Sequence, residues 1–169
     1  MATKDFSSIQ EPRVADALGW EVVTGSGARP CVPGDVRSDQ WLGECKTHTE
    51  PGHKIFFDLA VWDKIQKEAD ATHRSPALIV DDGSQDLKHT WVLCRDVSVS
   101  HTDLAMTDPN FAIRKNISFD DAKVAEHLKS LYKSGGGSIV FNHICIEISW
   151  NNQMVYVMPF ETFVAVKDR

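Results

Sequence analysis

Five consecutive apolar residues, Pro76-Ala77-Leu78-Ile79-Val80, stand without a polar interruption. A short run of this kind suits a strand covered on both faces, because a half-exposed strand alternates apolar and polar positions. A chain that owns such a strand builds a central sheet with elements packed against it. The composition can supply the layers: 42% of the 169 residues are hydrophobic, enough for the packed core of one domain. No stretch approaches the roughly 18 apolar residues of a membrane span. The polar start, Met1 to Ser8, lacks the apolar segment of a secretion signal, so an intracellular, cytoplasmic protein is expected.

Around that strand the sequence reads as mixed α/β. Residues 7–18 suit a short helix, with Ser8 as N-cap, Glu11 three positions on, Pro12 in the first turn, and Ile9, Ala15 and Leu18 as its apolar stripe. Trp20 to Val23 reads as a strand. Asp35 to Ser38 and Trp41 to Thr47 read as two strands joined by a turn at Ser38-Asp39-Gln40. His48 to Lys54 is a loop, and Phe57 to Ala71 a helix with Leu59, Trp62, Ile65 and Ala69 at helical spacing and an Asp63–Lys67 pair. His89 to Arg95 is a further strand, and residues 96–117 match no pattern. Ser118 is the expected N-cap of a helix over 118–133, with Asp120 and Asp121 in its positive first turn. Ile139 to Phe141, Ile144 to Trp150 and Met154 to Met158 read as strands, the last two joined by a turn at Asn151-Asn152-Gln153. Phe160 to Lys167 fits a short helix or an edge strand. The expectation is one domain over 1–169, with a core at about 8–100 and an extension over about 101–169.

Chemistry concentrates in Pro33-Gly34-Asp35 and Gly43-Glu44-Cys45-Lys46. Alternate strand residues share a face, so Glu44 and Lys46 point one way and Cys45 points into the core. A short hairpin brings Asp35 beside Glu44. Two carboxylates offer oxygen ligands to Mg²⁺ or Mn²⁺. An ion held there polarises a phosphodiester, and Lys46 offsets the charge that develops on the phosphate or orients the attacking water.

The order Gly34-Asp35, eight residues, Glu44-Cys45-Lys46, behind a helix carrying Glu11 and a loop carrying Ser26, resembles the PD-(D/E)xK (restriction-endonuclease-like) nuclease superfamily. Within it the chain is most similar to the archaeal-type Holliday junction resolvase branch, over roughly residues 8–82. The resemblance implies a restriction-endonuclease-like mixed central β-sheet flanked by helices. It implies an Mg²⁺-dependent (or Mn²⁺-dependent) endodeoxyribonuclease of prokaryotic or phage type, acting in DNA recombination and repair. Glu11, Asp35 and Glu44 are then metal ligands, and Lys46 and Ser26 join them as catalytic residues. The implied partner is DNA, in particular a branched four-way junction. Two nicks on opposite strands call for two sites related by a twofold axis, hence a homodimer. Related enzymes are shorter and more basic, which leaves linear, flapped or damaged DNA as alternative substrates.

The other readings of these residues are plain ones. Glu11 pairs with Ser8 in a capping box, Asp35 is a turn acid, and Glu44 and Lys46 form a solvated strand face. Gly25-Ser26-Gly27 is a turn, and no Gly-Lys-Ser/Thr follows to make it a phosphate loop. The sheet then serves a non-catalytic binding module. Cys31, Cys45, His48 and His53 offer zinc donors, at a spacing far from a finger. The five tryptophans read as core or interface residues, since their spacing gives no stacking stripe. The net charge is −6, and each half of the chain carries 9 Lys/Arg and 12 Asp/Glu. Neither half is a basic module, so binding DNA by bulk charge is excluded. Contact with DNA falls to a local groove near Arg29, Arg37, His48, Lys54 and Lys46.

Overall fold

The computed structural model of the chain describes residues 3–25, 32–99, 103–106, 116–121, 123–124 and 143–169. The first helix, α1, spans Thr3–Leu18. Two short strands, β1 (Glu21–Val22) and β2 (Val36–Arg37), precede β3 (Trp41–Lys46). Next come β4 (Ile55–Asp58), α2 (Leu59–Ala71) and β5 (Ser75–Asp81). A single 3₁₀ turn at Leu87–His89 leads into β6 (Thr90–Cys94). The remaining elements are β7 (Asp103–Met106), β8 (Asn116–Phe119), β9 (His143–Trp150), β10 (Gln153–Pro159) and α3 (Phe160–Val166).

Eight strands form one mixed sheet in the order β1-β2-β3-β5-β6-β10-β9-β7, so the fold is α/β. Parallel pairing occurs at β3–β5 and β7–β9, and the other neighbours are antiparallel. The apolar run Pro76–Val80 lies in β5, between β3 and β6, with all five residues buried. Alternation along the central strands feeds two cores. Leu42, Leu78, Val80 and Leu93 pack against Trp62 and Ile65 of α2 and the β4–β8 pair. Trp41, Cys45, Ile79 and Val92 pack against Val14, Ala15 and Leu18 of α1 and Phe163 of α3. Trp20, Trp41, Trp62 and Trp91 are buried, as their spacing suggests.

The β2–β3 hairpin is held at its tip. Ser38 Oγ accepts from the Trp41 N–H at 3.1 Å, Arg74 Nε donates to the Ser38 carbonyl at 2.8 Å, and the Ser75 N–H donates to the Gln40 carbonyl at 2.8 Å. Where β2 crosses β3, Gly43 leaves no room for a side chain. A Cβ there lies 2.7 Å from Val36 Cγ2 and 3.2 Å from Trp20 Cζ3. At the other end of the sheet, Asn151 and Asn152 join β9 to β10 with φ of 48° and 61°. That is the left-handed pair that a two-residue hairpin turn demands.

Several sequence expectations are corrected. The first helix begins at Thr3, so Ser8 lies inside it and does not cap it, and Pro12 sits in its interior. Ile9 is exposed and Gln10 takes the buried place ahead of Val14 and Ala15. Phe57 and Asp58 belong to β4, and α2 starts at Leu59 with Asp58 as its N-cap, accepting from Ala60 N at 2.9 Å. Asp63 accepts from Trp150 Nε1 at 3.2 Å, and the i,i+4 ion pair on α2 is Lys64–Glu68. Ser118 lies in β8, opposite Phe56. The Asp120 carboxylate accepts from Lys123 N at 3.3 Å, and most of the helix expected over 118–133 lies outside the described residues. Ser118 scores well as a cap on local grounds, but its neighbours Ile117 and Phe119 are drawn into the core beside β4, and the pairing sets the boundary. The tail is the helix α3. The strand expected at Ile139 to Phe141 lies outside the described residues.

Gly43→Ala is expected to destabilise the chain by about 1–3 kcal/mol, because Val36 and Trp20 must both give way. Urea unfolding of variant and wild type, read as the shift in midpoint at constant slope, checks this.

Candidate active site

The site lies where β2 parts from β3. Their pairing ends at Val36↔Gly43, which leaves the Glu44–Lys46 edge of β3 without a strand partner on that side. Asp35 fills the gap. Its own N–H donates to the Gly43 carbonyl at 2.8 Å, and its Oδ2 accepts from the Cys45 N–H at 2.9 Å. A carboxylate thus stands where a carbonyl of β2 would have been. Gly34 makes the approach feasible with φ of +69°, and a Cβ there would lie 2.7 Å from Leu42 Cδ1.

On β3 the parity is as expected. Cys45 is buried on the α1 side. Its thiol is pushed well above its usual range by burial, then by the charges of Asp35, Glu11 and Glu44. Glu44 and Lys46 share the opposite face, with Lys46 Nζ donating to Glu44 Oε1 at 2.6 Å. Glu44 is 8% exposed, whereas half of the Lys46 side chain reaches solvent. Burial works against the Lys46 ammonium, but its hydrogen bond to Glu44 and the charges of Glu44 and Asp35 hold its pKa above the ordinary range.

Glu11 comes to the same place from α1. Its pKa rises from the ordinary 4.5 to about 7, first through burial, then through the charge of Asp35, with Lys46 opposing and Glu44 adding. Three carboxylates and one ammonium therefore act on one another around the open end of the hairpin. The set is all-oxygen and electron-rich, the donor chemistry that suits a hard divalent cation. Among the described residues no three His, Cys, Asp or Glu side chains are gathered at metal-holding distance, for zinc or for magnesium. Glu44 meets Lys46 through Oε1 and Asp35 meets the Cys45 N–H through Oδ2, one oxygen of each carboxylate.

Two buried residues that sequence reading passed over fix Glu11 to this edge. Asp81, with no exposed surface, ends β5. Its Oδ2 accepts from Gln10 Nε2 at 3.0 Å, and its Oδ1 accepts from Thr47 Oγ1 at 2.6 Å and from Gly83 N at 2.7 Å. Gln10 Nε2 also donates to the Lys46 carbonyl at 3.1 Å, and its Oε1 is buried with no partner among the described residues. Burial keeps the Asp81 pKa raised despite the bonds from Thr47 and Gly83. Gln10 stands in register with Val14 and Leu18, a polar residue at helical spacing in an apolar stripe, and that was the available signal. Asp81, at the end of an otherwise apolar strand, was the other.

Of the residues expected to touch DNA, His48 borders the same cavity as Lys46. Arg37 lies 3.6 Å from Glu21 across β1–β2, and Lys54 is exposed ahead of β4. The His48 ring stacks on His53 with centroids 4.5 Å apart. Ser26, Arg29 and Cys31 lie outside the described residues. Cys45, Cys94 and Cys145 are buried. Among the described residues no helix is long and apolar enough to cross a membrane.

No family model, curated protein or solved structure matches this chain.

Two outcomes test this geometry. The native state holds a proton on Glu11 that the unfolded chain releases between pH 4.5 and about 7, so the stability of metal-free protein falls as pH rises through that window. Glu11→Gln removes that component. The Tm of the variant is expected to gain on wild type between about pH 5 and about pH 8 in EDTA, and melts across the range check it. Asp81→Ala strands Gln10, Thr47 and the Gly83 N–H. An expected loss of at least about 2–3 kcal/mol is read by chemical denaturation.

Proposed function

We propose that this chain is a metal-dependent DNA endonuclease that hydrolyses phosphodiester bonds, with a four-way junction as its preferred substrate and a restriction-endonuclease-like sheet as its scaffold. The observation that carries the reading is the meeting of Glu11 with Asp35, Glu44 and Lys46 at the open end of the β2–β3 hairpin. Asp35 and Glu44, with Glu11 directly or through water, are the residues that would hold Mg²⁺ or Mn²⁺. When bound, the ion supplies Lewis-acid charge to the phosphodiester.

The chain's own groups divide the remaining work. The Lys46 ammonium, half exposed and charged across the physiological range, offers N–H donors to a phosphate oxygen or to the attacking water. Glu44 holds it in place from below. Asp35 keeps the edge of β3 closed while presenting its charge to the site. Symmetric resolution of a junction adds a second copy of the chain, related by a twofold axis.

A labelled four-way junction, assayed beside its linear arms with Mg²⁺ and with EDTA, tests the reading. Paired nicks near the branch point, only with metal, are expected. Asp35→Ala, Glu44→Ala and Lys46→Ala should each lower the rate by about 10²-fold or more. Equal cutting of the linear arms replaces the junction with a linear, flapped or damaged substrate. Metal-dependent cleavage of no DNA at all removes catalysis and leaves a binding module.

A further inference from the structure

A cavity of about 330 Å³ opens beside Lys46, on the face of the sheet that carries Glu44 and Lys46. Its lining includes Val61 of α2, Leu78 and Val80 of β5, Phe56 of β4 and, just beyond β3, His48. Lys46 and Asp58 stand among these groups. Phe56 is 39% exposed, one of the few large apolar side chains left so open. The cavity's volume is at the lower end of ligand pockets, enough for one planar ring system and far too small for a duplex.

We propose that this cavity receives a single unpaired nucleobase of the DNA, turned out of the stack beside the phosphate to be cut. The inference rests on the nuclease reading and names what that site recognises. Its chemistry matches a base on each count. Phe56 supplies an aromatic ring for stacking, and Val61, Leu78 and Val80 supply apolar surface for the rest of the base. The Lys46 ammonium is a donor and the Asp58 carboxylate an acceptor, so a base edge that carries both kinds of group finds partners. Lys46 belongs to both places: its Nζ holds Glu44 while the same side chain borders the cavity. A base seated there sets its own phosphate against the carboxylates.

The socket also answers the charge problem. A chain of net charge −6 has little general attraction for DNA. Extruding a base from intact duplex costs several kcal/mol of stacking and pairing, and least where pairing is already broken. A pocket that demands an extruded base therefore favours branch points over linear arms.

The experiment places 2-aminopurine, one position at a time, around the branch point of a four-way junction bound to the full chain, with Ca²⁺ in place of Mg²⁺. A several-fold rise in fluorescence is expected at one position next to the cut phosphate. Phe56→Ala, which removes an exposed ring, and Val61→Phe, which fills the cavity, should each abolish it while retaining the wild-type melt. If one variant fails to fold, the other decides. An abasic residue at the same position, offered to wild type with Mg²⁺, should slow cutting by about tenfold. No rise at any position, or a rise that survives in a folded variant, overturns the inference. Cutting without the base signal removes the pocket and keeps the nuclease. The base signal without cutting keeps the pocket and removes the catalysis. Absence of both removes both.

Discussion

A carboxylate with no exposed surface demands hydrogen bonds in place of the water it has lost. Asp81 meets that demand with three donors drawn from three segments: Gln10 on α1, Thr47 just beyond β3, and Gly83 in its own following turn. The consequence is geometric. One side chain ties the helix bearing Glu11 to the ends of the two parallel strands, one of which bears Glu44 and Lys46. The second bond of Gln10, to the Lys46 carbonyl, sets the height of α1 against that strand. The four polar residues of the candidate site come from three segments, and their convergence is built on this buried junction.

The site in turn uses a fault in the sheet. Continuous pairing of β2 along β3 would hide the edge at Glu44–Lys46. The early departure of β2 at Gly34-Asp35 exposes it, and a carboxylate takes over one ladder hydrogen bond. Local unpaired backbone is normally a liability at a sheet edge. Here it gives a charged group a fixed position.

What could be read from the sequence was what depends on near neighbours. The two-residue alternation placed Glu44 and Lys46 on one face and Cys45 beneath them. Helical spacing located α2 to within two residues, and Asn151-Asn152 marked its hairpin. What escaped was what depends on distant partners. β4 was missed because its four residues run straight into α2 with no turn between them, and because its partner β8 lies 58 or more residues further along. Ser118 looked like a cap for the same reason: nothing local reveals that Phe56 lies opposite it. The Asp81 network spans 34 and 71 residues in its side-chain contacts. An isolated Gln or Asp gives no warning of such reach.

The hairpin that carries Asp35 and Glu44 is held by two different kinds of joint. At its tip, Ser38, Arg74 and Ser75 lock the turn to the start of β5. At the other end the strand ladder has stopped, and Asp35 spans to β3 through its N–H on the Gly43 carbonyl and its carboxylate on the Cys45 N–H. Mechanically this is a pair of tweezers riveted at the bend and latched at the jaws by one residue, so the gap between the two carboxylates is set by that latch while the hinge, and the sheet behind it, stays undisturbed.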